Sequence, residues 1–446
     1  MTTKRSIRAE KARNVADTLE EDMADELALN MTSLRTQHLP FLPRHLPGLP
    51  RLLAACALSA GLGFGLVNAA RAEDIIALGM TVPMSGAGAS WGLGSEWVGK
   101  QAVQYVNSHG GVHVGDKTYK LALTSYDNKY TAADGVKVAQ TMLNRDGIKF
   151  IILGMSTQAV VATQSISERS NVLMFTISWS NAIKGPKYPL TFTTMNTPTE
   201  FLEPLYQLVM KQHPTIRTVA LISPNDSADQ EVAKAATAHW EKLGAKIVGQ
   251  FTYERGTTEF QPVATRAAQL KPDVIDTLGA PPGDVGVLYR ALSDQGWNGV
   301  RIASAGTVSD ALIHTGGKTL EGLYMGLDAV FSSSGATPIQ RDLDARFQPI
   351  FHEPLNLTDL SAWDGVMALK AGLEKAGRVD ATAVAKVLPT IVFDSSFGPS
   401  AFGGRSQYGT PQQILLPVIV TQVRDGKVVE IARIESTELK QRLGGK

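Results

Sequence analysis

The chain has 446 residues, 43% of them hydrophobic and 19% charged, which suffices to bury a large core and build two globular lobes. Its 43 basic and 42 acidic residues balance, so no cationic excess points to nucleic acid or to an anionic membrane surface. The single cysteine, Cys56, excludes a disulfide framework and a cysteine-based zinc site.

Residues 1–30 are charged and low in aromatics, unlike a targeting segment, and Met31 is a more natural start for one. Arg51 precedes an apolar run, Leu52 to Val67, that ends in small residues and Ala70-Arg71-Ala72. This is the pattern of a secretory signal, with cleavage expected after Ala72. Leu53-Ala54-Ala55-Cys56 looks like a lipobox, but here the apolar region follows the cysteine instead of preceding it, which disfavours a lipoprotein. The run also falls short of the ~20 apolar residues of a spanning helix, so no stable membrane insertion is expected after cleavage. Removing residues 1–72 takes away nine basic and seven acidic residues, so the exported protein is expected to be nearly neutral.

In the remainder, strand-like and helix-like segments alternate. Ile75–Val82 reads as a strand and Ser95–Asn107 as a helix stopped by His109-Gly110-Gly111. A strand at Lys120–Asp127 leads to a helix capped by Thr131, with Ala132, Val136, Ala139 and Leu143 as its buried stripe. Phe150–Leu153 and Leu173–Ile177 are continuous apolar runs, as in parallel strands covered on both faces. After Pro198 the rhythm restarts: helix 199–211, strand 218–223, helix 227–243, strand 246–253, helix 260–270, strand 274–278, helix 284–295 and strand 300–303. Two such series predict two doubly wound parallel sheets. The last third reads as helices at 361–376 and 381–387, a glycine-rich loop at 398–409, a strand at 414–423 and a hairpin turn at 424–427.

Ligands of parallel α/β sheets gather at the carboxyl ends of strands, which directs attention to the loop 82–92. Its glycines, Gly86, Gly88, Gly92 and Gly94, have the wrong spacing for a dinucleotide fingerprint, and the P-loop lysine is missing. Ser85 and Ser156 lack the G-x-S-x-G frame of a nucleophile elbow. His109 and His113 are separated by two glycines, so a turn with solvated histidines is expected instead of a metal site. What remains is a series of hydroxyl-rich strand ends: Ser156-Thr157 entering a helix, and Ser178-Trp179-Ser180. Helix N-termini and hydroxyls can hold a carboxylate without any arginine, with Trp91 and Trp179 as apolar walls. The competing reading, in which these hydroxyls cap helices and the tryptophans are core, stands beside it.

In this order, MSGAGASWGLGSEWVGKQAVQYVNSHGGV, YDNKYTAADGVKVAQTML, IKFIILGMSTQ and SAWDGVMALKAGLEKAG resemble the type I periplasmic binding proteins, the branched-chain amino acid (Leu/Ile/Val)-binding family of ABC importers. The resemblance implies an α/β fold of two Rossmann-like lobes, 73–195 with 329–413 and 196–328 with 414–446. It also implies a ligand cleft between the lobes and hinge crossings near 194–197, 326–331 and 412–415. By the same resemblance Trp91, in its M-S-G-x-x-x-x-W-G frame with Ser85, packs on the ligand. Ser156 or Thr157 grips its carboxylate, and Ser178 and Ser180 face its polar head. In the second lobe the corresponding loops carry Asp226, Ala228, Ala280, Pro281 and Gly306. An acidic partner for an α-ammonium should stand near Ser304–Thr307, where the sequence has none, and this weakens the case for an ordinary amino acid.

The function implied by the resemblance is capture of a small carboxylate-bearing solute, of the branched-chain amino acid or organic (including aromatic) acid class, for an ABC permease, with no cofactor. An exported sensor using the same cleft and, less favoured, an enzyme on this scaffold are the alternatives.

Overall fold

The computed structural model describes residues 74–306 and 310–444. The signal segment with its cleavage point after Ala72, the Cys56 lipobox and Thr307 lie outside them. Among the described residues, no helix is long and apolar enough to cross a membrane.

The chain first lays down β1 (Asp74–Val82), β2 (Val112–Val114), β3 (Lys117–Asp127), β4 (Phe150–Gly154), β5 (Leu173–Thr176) and β6 (Thr191–Thr193). It then builds a second sheet from β7 (Thr218–Pro224), β8 (Lys246–Tyr253), β9 (Val274–Thr277), β10 (Val300–Ala303) and β11 (Tyr324–Met325). It returns to the first sheet with β12 (Val392–Ser395), β13 (Gly398–Gly403) and β14 (Gln413–Ile414), and to the second with β15 (Val418–Arg424) and β16 (Lys427–Ile434). The strand orders are β12-β13-β14-β6-β5-β4-β1-β3-β2 and β16-β15-β11-β10-β9-β7-β8. The centres are parallel, as expected, but each sheet ends in antiparallel strands: β2 and the β12–β13 pair in the first, β15–β16 in the second. The sheets are therefore mixed, because short hairpins at their edges need no crossover helix.

β4 is buried along its whole length, in keeping with its unbroken apolar run. Helix Ala89–Ser108 packs against helix Leu357–Ala376 on the first sheet. In the second sheet's core, Trp240 stacks on Tyr206 at 4.1 Å and the Tyr206 hydroxyl donates to Asp276 at 2.6 Å. Thr131 caps helix Ala132–Gln140 by accepting from Asp134 N. Ala132 is exposed, though, and the inner face is carried by Gly135 and Ala139 and then by Met142 and Leu143 in a following π-turn. The glycine-rich stretch 398–409 is strand β13 plus a short helical turn, and the strand expected at 414–423 is split between the two sheets. At the β15–β16 hairpin, Asp425 and Gly426 both take positive φ, 51° and 70°, as a tight primed turn requires.

The chain passes between the sheets at 194–197, after Met325, and at 415–417. The third passage thus follows Ile414, which still pairs with Phe402 of the first sheet. Helix Thr437–Arg442, expected with the second lobe, packs back on the first: Glu438 accepts from Gly404 N at 2.8 Å and Leu439 is buried with Ala401 and Leu415.

Candidate functional site

The carboxyl ends of β1, β3 and β4 are tied together by Asn128, fully buried, whose Nδ2 donates to Thr81 Oγ1 at 3.2 Å and to the Met155 carbonyl at 2.9 Å. Asp127 fastens the loop above them, accepting from Met84 N at 2.9 Å and from Ser85 Oγ at 2.6 Å. Gly92 lets the first turn of helix Ala89–Ser108 sit on that loop: a Cβ there would lie 1.8 Å from the Pro83 carbonyl oxygen. Trp91 is held at this point with its ring 6.4 Å from that of Tyr130.

At the end of β4, Ser156 precedes helix Thr157–Ser167 with φ of 75°, a left-handed conformation that costs a non-glycine residue of order 1–2 kcal/mol. Its side chain does not cap the helix, and its Oγ is buried without a hydrogen-bond partner. Thr157 Oγ1 accepts from Ser178 Oγ at 3.2 Å and from Trp179 N at 3.3 Å, which leaves its own proton uncommitted. Both hydroxyls stand where the first amides of a helix are unpaired, an arrangement that favours an anion.

The second sheet brings charge to the same space. Arg255 follows β8 and donates from Nε and Nη2 to Asp226 Oδ2 at 2.9 and 2.6 Å, and from Nη2 to Asp229 Oδ2 at 2.7 Å. Its guanidinium lies 5.5 Å from the centre of the Tyr130 ring, which belongs to the other lobe. Nη1 of Arg255 and Oδ1 of Asp229 are buried and have no partner. Burial opposes ionisation of Asp226, yet the Arg255 charge and the hydrogen bonds it receives hold it below the usual carboxylate range. Burial, followed by the charge of Asp226, pushes Asp229 up to about 9.

Between the sheets these groups line a cavity that opens to solvent at its mouth. Of the candidate residues, Trp91, Ser156, Thr157, Trp179 and Ala280 line it. Ser178 lies behind Thr157, and Ser85 is spent on Asp127. Ser180 turns its hydroxyl across the cleft to Glu231 Oε1 at 2.7 Å. Asp226 supports the cavity from outside through Arg255, Pro281 starts helix Pro282–Asp294, and Gly306 closes a turn on the Ala303 carbonyl at 2.8 Å. Ala228 falls in helix Ser227–Lys242, and its side chain lies outside what is described.

Two readings are corrected by this geometry. The cavity wall contains an arginine, Arg255, and an acid, Asp229, although 304–307 carries none. Tyr130, Arg255 and Thr358 line the cavity and were not singled out; Met155, Ile177, Met195 and Leu327 complete its apolar wall. Arg255 stands two residues beyond strand β8, so the carboxyl-end rule points to its loop but not to Arg255 itself. Among the described residues no cluster of His, Asp, Glu or Cys has the disposition of a metal site. His109 Nδ1 lies 2.8 Å from the Tyr105 carbonyl and His113 Nδ1 lies 3.0 Å from Thr118 Oγ1, so each is occupied locally.

Two α/β sheets joined by three chain passages, with a cavity between their strand ends, make a two-lobed α/β fold. The chain belongs to the periplasmic binding protein family, whose model matches residues 75–427. It is 23% identical over 353 residues to a leucine-, isoleucine-, valine-, threonine- and alanine-binding protein of Pseudomonas aeruginosa, covering 79% of this chain and 91% of that one. Its fold is similar to that of a leucine-binding protein from Thermotoga maritima, with a TM-score of 0.70 at 17% identity over 81% of this chain and 99% of the other. It is similar also to an ABC-transporter solute-binding protein from R. palustris in complex with benzoate, with a TM-score of 0.69 at 14% identity over 81% and 96% of the two chains.

Proposed function

We propose that this protein is the periplasmic substrate-binding component of an ABC importer, exported by the signal that ends at Ala72, and that it captures a small carboxylate-bearing solute with an apolar body. The observation that carries this reading is the pair of buried donors without partners, Ser156 Oγ and Arg255 Nη1, at one cavity. Leaving a buried polar group unsatisfied costs of order 1–3 kcal/mol, more for a charged one, and a ligand carboxylate offers acceptors to both. Trp91, Tyr130 and Trp179 supply the walls for a flat or branched hydrocarbon body. The names of the relatives support the class: amino acids with small apolar side chains for one, benzoate for another.

Closure of the lobes is the signal that a permease reads. A ligand touching Ser156 on one lobe and Arg255 on the other favours the closed form through contacts that the open form cannot offer. Thermal unfolding of ligand-stripped protein against amino acids, aliphatic acids, aromatic acids and neutral sugars tests the reading. A carboxylate should raise the melting temperature by mass action. Stabilisation by a sugar and by none of the acids would sink it.

A further inference from the structure

The cavity holds one more charged group than the grip on a carboxylate needs. Asp226 and Asp229 share the guanidinium of Arg255, both through Nη2, and Asp229 is 1% exposed with its Oδ1 bare of partners. With both acids ionised the cluster would carry a net charge of −1 inside the cavity, and an entering carboxylate would meet a like charge at low dielectric. With a proton on Asp229 the cluster is neutral, and Asp229 turns from an acceptor into a donor.

We infer that Asp229 acts as the charge selector of this cavity: its carboxyl group stays neutral beside the ligand, which admits monocarboxylic acids that lack an amino group and disfavours α-amino acids. This deepens the proposed function and rests on it. Burial and the charge of Asp226 favour the proton on Asp229, and Arg255 together with the first turn of helix Ser227–Lys242 opposes it. Asp226 lies on the adjacent turn, Tyr130 on the facing lobe, and Tyr253, which donates to Asp284 at 3.0 Å, at the end of β8; Arg255 is already engaged by Asp226. Burial and the charge of Asp226 place the Asp229 carboxyl group at about 9 in the empty protein. A bound carboxylate strengthens its hold on the proton, whereas an α-ammonium placed there would drive the proton out.

Calorimetric titration of ligand-stripped protein with benzoate and with L-leucine tests this. Benzoate affinity should be level up to about pH 8 and weaken towards tenfold per pH unit above about pH 9, as linkage to one proton requires. Asp229→Asn should remove that slope. L-leucine should bind at least tenfold more weakly than benzoate near pH 7.5 and release about one proton, counted from heats in two buffers of different ionisation enthalpy. The proton count needs no variant, so the inference stays testable if the substitution prevents folding. Benzoate affinity level to pH 10, an unchanged slope in Asp229→Asn, or L-leucine binding as tightly without proton release would overturn it. Failure of every carboxylate to bind would overturn the underlying reading as well, so the two failures are told apart.

Discussion

Gly279 and Asp229 are fitted to each other: a Cβ on Gly279 would lie 1.7 Å from Asp229 Oδ1. The glycine also takes φ of +59°, where a side chain is strained, so the loop after β9 tolerates no other residue while Asp229 keeps its place. Gly279→Ala is therefore expected to displace Asp229 and Arg255 together. It should weaken ligand affinity by more than tenfold, measured by calorimetry, while far-ultraviolet circular dichroism stays that of the parent. An affinity within twofold of the parent would show that the carboxyl group is not needed where it stands.

Trp91 is held over the cavity by the first turn of its helix, its ring 6.4 Å from that of Tyr130, and is partly buried against the core. Trp91→Ala removes one apolar wall without opening the packed interior. Affinity should fall more than tenfold, about 1.4 kcal/mol or more, with a nearly unchanged unfolding transition. A large loss of stability with unchanged affinity would make Trp91 a core residue instead.

The series of strands and helices was legible because each is written in local periodicity: β8 and β10 and helix Ala381–Val387 have the bounds that their apolar patterns give. Strands of two or three residues, such as β6 and β11, carry no period to read and exist only through their neighbours. The first-lobe half of the site, Trp91, Ser156, Thr157 and Trp179, could be found because it sits at predicted strand ends. Ser85 misled for the same reason: it has the right position, but Asp127, 42 residues away, takes its hydroxyl. Arg255 and Asp229 join the site through an ion pair 26 residues long in sequence, and no local pattern announces which charged loop residue turns inward.

Ser156 combines strain with an unspent hydroxyl. Ser156→Gly should relieve the left-handed backbone and stabilise the ligand-free protein by up to about 1 kcal/mol in urea unfolding. The same change should weaken carboxylate binding several-fold. The double substitution Ser156→Ala with Thr157→Ala should cost a carboxylate ligand more affinity than its primary amide. Equal losses would detach these hydroxyls from the anionic head.

Ser180 Oγ and Asn181 N of the first lobe both donate to the carboxylate of Glu231 on the second, at 2.7 and 3.3 Å. The contact exists only with the lobes together and is partly exposed, so its worth is modest. Glu231→Ala should shift the ligand-free protein toward a larger radius of gyration in small-angle scattering and weaken binding about two- to fivefold. An unchanged radius and affinity would show that this contact does not bias closure.

Asp364 lies wholly buried in helix Leu357–Ala376, accepting from Ser396 N at 2.5 Å and from Ser396 Oγ at 3.1 Å. Burial outweighs those two hydrogen bonds and pushes its carboxyl group up to about 7. The folded protein therefore binds this proton more tightly than the unfolded chain, whose aspartates titrate near 4. The contribution is present in full below pH 4 and is lost as pH rises from 4 to about 7, by at most about 1.4 kcal/mol per pH unit. Asp364→Asn, which can keep the bond from Ser396 N, should flatten this part of the stability profile, so that the difference between variant and parent grows in the variant's favour between pH 4 and 7. Parallel profiles across that range would mean that Asp364 is ionised in the fold, and the two serine donors would then have to outweigh its desolvation.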